Sequence, residues 1–301
     1  MNAPPASPLL PAQTAFADRY WTSRDGLRLH YRDYGTRGAR PALLCLPGLT
    51  RTARDFSHVA ERLAGEWRVI CPDLRGRGDS AYAKDAASYN PLQYAEDLTL
   101  LLAEAQIERF VPIGTSLGGL LTMLLAAAMP QRIAGALLND VGPELMPEGL
   151  ERIRSYVGQG RSFPTWMHAA RMVEELQGAA FPDYQVSDWL SMAKRAMVLG
   201  ENGRIVFDYD MKIAEPLAVQ GGETAPDLWP ALLALKGKPV ALLRGELSDI
   251  LSPAVHRKMA KLLLGADLVT VARAGHAPML DEPEAIAALD RLLAQIERTF
   301  E

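Results

Sequence analysis

Cysteine and net charge are both scarce in this chain, and apolar runs of membrane length are missing. Its two cysteines, Cys45 and Cys71, cannot make a zinc site by themselves. Each sits in an apolar run with nothing polar beside it, which reads as a buried thiol in a reducing cytoplasm rather than a nucleophile. The formal net charge is −4 and there is no basic stripe, so neither nucleic acid nor an anionic membrane is an expected partner. Without a stretch long enough to cross a bilayer, and with Met1-Asn2-Ala3-Pro4-Pro5 lacking the features of a secretory signal, the expected location is cytoplasmic. Residues 1–17, rich in proline, read as a loose arm, and no internal repeat follows.

What is present is an apolar fraction of 49%, enough for a substantial core. Leu27 to Tyr34 alternates apolar and polar residues, as a half-exposed strand does. Ala42 to Leu46, Val69 to Cys71, Phe110 to Ile113, Ile133 to Leu138, Val240 to Leu243 and Leu268 to Val271 are short apolar runs of the buried parallel kind. Helical patterns separate them over Ala53 to Leu63, Tyr94 to Ala105 and Leu120 to Met129. A last helix begins where Asp281 and Glu284 have the spacing of a capping box, with Pro283 between them. Alternation of this sort implies a parallel sheet covered on both faces. It breaks between Val141 and Asp227, where Gly149 to Val157, Pro164 to Leu176 and Val186 to Val198 read as helices. That stretch carries six of the eleven methionines together with Trp166 and Trp189. It reads as an inserted cap over an adaptable apolar pocket, although for any single one of these side chains packing of the cap onto the core is the preferred reading.

Gly114-Thr115-Ser116-Leu117-Gly118 lies between the strand Phe110 to Ile113 and an apolar helix. This G-x-S-x-G pattern in a strand–turn–helix context presents a serine hydroxyl at a helix head, on a turn so sharp that small residues must flank it. The unpaired amides there can stabilise developing negative charge. A serine is a poor nucleophile until a base takes its proton. Of the five histidines, His276 stands on a loop after a strand, in Ala274-Gly275-His276-Ala277-Pro278, and is the expected base. His30, His58, His168 and His256 read as surface or packing residues. The base needs a carboxylate to hold its tautomer. Asp249, beyond the strand Val240 to Leu243, is the expected partner; Asp140 and Glu246 stand at strand ends as alternatives. The oxyanion donors are expected to be the Leu117 amide and the Leu49 amide, the latter in Leu46-Pro47-Gly48-Leu49, where Gly48 lets the backbone approach the substrate.

With Leu46-Pro47-Gly48, Asp73-Leu74-Arg75-Gly76-Arg77-Gly78-Asp79-Ser80, Gly114 to Gly119, Gly245 to Asp249 and Gly275-His276, the chain resembles α/β-hydrolase fold serine hydrolases of the cap-bearing esterase and C–C hydrolase kind. The likeness covers roughly residues 18–300. It implies a mostly parallel eight-stranded sheet with helices on both faces, a core of residues 18–141 and 228–301, and a helical cap over 142–227. In such enzymes the loop of Arg75 and Asp79 is structural. One departure is Pro47-Gly48, where many relatives carry His-Gly. Serine at position 116, where epoxide- and halide-displacing relatives place aspartate, implies acyl transfer to water. The expected activity is hydrolysis of small to medium carboxylic esters or lactones with no metal or organic cofactor. Gly48, Arg51, Trp166 and Trp189 are candidate substrate contacts; Arg51 and Arg54 could meet an anionic substrate tail, but the preferred reading makes them solvated helix-start residues. The same side chains would serve a C–C bond hydrolase of vinylogous diketones, and a ligand-binding receptor on this scaffold is the reading from another class.

Overall fold

The computed structural model describes residues 16–219 and 227–299. The expected arm at residues 1–17 therefore lies outside the described residues, except for Phe16 and Ala17. These two open the first strand, β1 (Phe16–Thr22). The other core strands are β2 (Arg28–Tyr34), β3 (Ala42–Leu46), β4 (Val69–Pro72), β5 (Phe110–Thr115) and β6 (Ala136–Asn139). After the insertion come β10 (Val240–Gly245) and β11 (Asp267–Val271). They form one eight-stranded sheet in the order β1-β2-β4-β3-β5-β6-β10-β11. β1 and β2 pair antiparallel, as do β2 and β4; the remaining pairs are parallel.

Central strands read as unbroken apolar runs because both faces are covered. In β3, Ala42, Leu44 and Leu46 point into one core layer, and Leu43 and Cys45 into the other. Helices α2 (Pro91–Glu104) and α3 (Leu117–Ala128) bury Leu98, Leu101, Leu121 and Leu125 in the first layer. Helix α1 (Ser57–Leu63) and the last helix (Pro283–Glu297) bury Val59, Leu289 and Leu293 in the second. Both cysteines are fully buried and free.

The loop after β4 is held by buried charge. Arg75, completely enclosed, meets both oxygens of Asp97 at 2.7 and 2.8 Å and both of Asp25 at 3.0 Å. An enclosed guanidinium is tolerated only when its fork is paired in this manner. The proposed capping box of the last helix does not form. Pro283 occupies the first helical position, so Glu282 and not Asp281 is the N-cap, and its side chain accepts from Met279 N–H at 2.8 Å instead.

Between β6 and β10 lie α4 (Pro147–Tyr156), α5 (Trp166–Gln177) and α6 (Val186–Ala196), close to their expected positions. They are accompanied by a small antiparallel sheet of β7 (Ser162–Phe163), β9 (Ile205–Phe207) and β8 (Met197–Leu199), which the helical reading of this region lacked. The insertion is fastened to the core by charge. Arg54 Nη2 donates to Asp208 at 2.6 Å, and Arg152 meets both oxygens of Asp249 at 2.5 and 2.9 Å.

Candidate active site

Ser116 sits between β5 and α3 with φ 54° and ψ −117°, a backbone conformation that L side chains avoid. The turn is possible because the residues two positions away on either side, Gly114 and Gly118, have no side chains. A Cβ at Gly118 would lie 2.0 Å from Leu46 O, and one at Gly114 would lie 2.3 Å from Gly118 O. The strained serine is half-buried and heads a helix whose first amides have no intrahelical acceptor.

His276, on the loop after β11, reaches across to it. Ser116 Oγ–H donates to His276 Nε2 at 2.8 Å, and His276 Nδ1–H donates to Asp140 Oδ2 at 2.6 Å. Asp140 immediately follows β6 with φ 56°, and its carboxylate is wholly buried. Two further donors offset that burial: Gly245 N–H to Oδ1 at 2.9 Å and Ser248 Oγ–H to Oδ2 at 2.6 Å. Ser248 Oγ in turn accepts from the Ile250 and Leu251 amides at 3.2 and 3.1 Å. The hydroxyl, imidazole and carboxylate thus form one chain, with the proton on Nδ1 facing an acceptor and Nε2 free to accept.

Asp249, expected in Asp140's place, is not in that chain. The turn after β10 folds back so that Ser248 points at Asp140, while Asp249 turns outward onto Arg152 of the insertion. Arg152 pulls Asp249 below the ordinary aspartate range against the opposing effect of burial, which is the largest single influence. Glu246 also stays away and accepts from Arg273 N–H.

The loop expected to supply the second oxyanion donor lies against the nucleophile: a Cβ at Gly48 would be 3.8 Å from Ser116 Cβ. Its peptide plane is fixed, because the buried Arg77 donates through Nε to Leu49 O at 2.8 Å and Arg51 N–H donates to Gly48 O at 3.1 Å. The Pro47 departure therefore leaves this loop beside Ser116.

A cavity of about 140 Å³ opens over Ser116 and His276, comparable with one that holds a benzene ring. Gly48, Leu49 and Arg51 line it from the core side; Tyr156, Met172 and Gln177 line it from the insertion. Neither Trp166 nor Trp189 is among the lining residues. Trp189 is 2% exposed and packs on Phe181 and Tyr184, and Trp166 packs against the same core layer. Of these two expected contacts, Trp189 is a packing residue enclosed by the insertion's own aromatics, and Trp166 is half-buried against the same layer. Arg54 is likewise spent on Asp208. Tyr156 and Gln177 were not anticipated; nothing in a helical pattern singles them out until α4 and α5 converge on one cavity.

The chain matches the family model described as "Alpha/beta hydrolase family" over residues 43–289. It is 36% identical over 269 residues to a 3-hydroxybutyrate-oligomer hydrolase of Cupriavidus necator, covering 86% of this chain and 90% of that protein. It is 28% identical over 264 residues to an esterase of Mycobacterium tuberculosis, covering 84% of this chain and 83% of that one. Its fold superposes on the crystal structure of an alpha/beta hydrolase from Novosphingobium aromaticivorans with a TM-score of 0.90 and 63% identity, covering 93% of this chain and 98% of that one. The chain belongs to the alpha/beta hydrolase family.

Proposed function

We propose that this protein is a serine hydrolase of short carboxylic esters that works through an acyl-enzyme. The observation that carries the reading is the unbroken hydrogen-bonded chain from Ser116 through His276, both of which line the cavity, to the buried Asp140. Ser116 Oγ attacks the ester carbonyl carbon while its proton passes to His276 Nε2. The imidazolium that forms is stabilised by buried Asp140. The oxyanion is held by the Leu49 and Leu117 amides, each such donor being worth a factor of about 10² to 10³ in rate. The tetrahedral intermediate collapses, the C–O bond to the alcohol breaks, and the alcohol leaves with the proton from His276. Water then gives a proton to His276 and attacks the acyl carbon; collapse returns Ser116 and releases the acid. The insertion serves as a cap whose underside shapes the cavity.

Ester chemistry is favoured over C–C bond cleavage by the names of two relatives, an oligomer hydrolase of 3-hydroxybutyrate and an esterase. The small cavity favours short acyl groups over long chains. Ser116→Ala is expected to lower kcat/KM on a p-nitrophenyl short-chain ester by about 10⁴-fold or more. Retention of most of the activity in a folded Ser116→Ala protein would overturn the reading.

A further inference from the structure

Among the polar side chains that share the cavity with Ser116 and His276 and that the hydrolysis does not use are Arg51, Asp55, Tyr156 and Gln177. Arg51 lays its stem on the loop beside the nucleophile, its Cγ 3.4 Å from where a Cβ on Gly48 would be. Asp55 engages its Nε and Nη2, each at 2.6 Å, which fixes the guanidinium and leaves Nη1 outside the pair. Arg152, one turn before Tyr156 on α4, is paired in the same two-pronged way with Asp249. Two guanidinium groups and two carboxylates therefore cancel around this end of the cavity.

Burial pushes the Tyr156 phenol above the ordinary tyrosine value, outweighing the field of Arg152 and Arg51 and the hydrogen bonds its oxygen takes from Arg152 and Gln177, so its hydroxyl keeps its proton and remains a donor. Gln177 Oε1 is shielded from solvent and has no hydrogen-bond partner among the described residues. An acceptor left in that condition is costly, and a ligand hydroxyl reached by a small turn of the amide would relieve it. The wall thus offers donors at Arg51 and Tyr156, an acceptor at Gln177, and no net charge. A plain alkyl chain would leave the Gln177 oxygen unpaired, whereas a free carboxylate would meet an Arg51 charge already offset by Asp55.

We propose that this wall selects esters of hydroxy acids: a hydroxyl or second ester oxygen on the substrate accepts from Arg51 and Tyr156, and a substrate hydroxyl donates to Gln177. The inference rests on the ester-hydrolase reading. It adds that specificity is set by hydrogen bonds to a neutral oxygenated group, and sites built to bond a substrate hydroxyl reject analogues that lack it.

The test compares kcat/KM of the full-length protein on p-nitrophenyl 3-hydroxybutanoate, p-nitrophenyl butanoate and p-nitrophenyl hemisuccinate. The hydroxylated ester is expected to be preferred by about 10- to 100-fold over butanoate, the range that hydrogen bonds to polar and charged partners give, and also to exceed the hemisuccinate. Tyr156→Phe and Arg51→Gln should each lower the hydroxy-to-plain ratio by about tenfold. Absence of a preference, preference for the carboxylate-bearing ester, or an equal loss on all three esters in both variants would overturn it. The two levels of the account fail separately: an unmoved ratio in an enzyme that Ser116→Ala silences removes only the specificity claim, whereas turnover that survives Ser116→Ala removes the ester-hydrolase reading beneath it.

Discussion

Asp140 and Asp249 follow neighbouring strands of one sheet, and their surroundings could hardly differ more. Asp140 is wholly enclosed and takes three hydrogen bonds from Gly245, Ser248 and His276. Asp249 keeps 34% of its side chain exposed and is held by Arg152 alone among the described side chains. A carboxylate that must steady an imidazolium needs water excluded and its own lone pairs satisfied. A carboxylate that fastens a mobile-length side chain from an insertion does neither and contributes about 0.2 to 1 kcal/mol at such exposure. The proposed mechanism therefore gives the role to Asp140 on enclosure and donor count, not on chain order.

The largest effect that would break this contrast is kinetic. Asp140→Asn should lower kcat by about 10⁴-fold, as expected when a triad loses the group that holds the imidazole tautomer. Asp249→Asn in the same assay should lose less than about tenfold, an exposed pair being worth little. Equal losses, or the reverse order, would return the role to Asp249. A smaller effect sharpens the contrast. Ser248→Ala removes one donor from Asp140 and should reduce kcat by about tenfold, the scale of a single hydrogen bond to a charged group, with little change in KM; a rise in KM alone would assign Ser248 to substrate binding.

The smallest effect concerns a second histidine–aspartate pair, His30 with Asp73 at 2.7 Å. It resembles His276 with Asp140 at 2.6 Å, but it joins β2 to the loop after β4. Here stability rather than catalysis is at stake. Burial lowers the His30 pKa, but Asp73 and Asp18 outweigh it, with Asp79 adding to them, and the net shift is upward. A raised pKa means the pair stabilises fully below the ordinary imidazole value of about 6.5 and loses that contribution as pH rises through the folded-state value. Thermal unfolding from pH 5 to 9 should show this alkaline loss in the native chain and a flatter curve in His30→Gln. Identical curves would deny the pair that role.

Where local geometry dictates residue type, the site was readable. Ser116 needs glycines at 114 and 118 because backbone passes within 2.3 and 2.0 Å of their missing side chains, and such a constraint is written in the chain. His276 was readable because a strand must end before a loop can carry an imidazole to its neighbour. Which carboxylate meets His276 was not readable, since several strand ends carry carboxylates and only the path of residues 245–251 decides which one Ser248 meets. β1 escaped notice because only Trp21 among its seven residues is buried, leaving no alternation to read. The strands of the insertion are two or three residues long, shorter than any periodicity. Tyr156 and Gln177 gain meaning only from the meeting of two helices.

The central claim is that Ser116 attacks as a nucleophile activated by His276 and Asp140. It is tested most directly by intact-mass and peptide analysis after exposure to a fluorophosphonate. The account predicts one phosphonyl adduct on Ser116, absent from Ser116→Ala and slowed by orders of magnitude in Asp140→Asn but not in Asp249→Asn. Labelling at another residue, or labelling of Ser116 at an undiminished rate without Asp140, would contradict it.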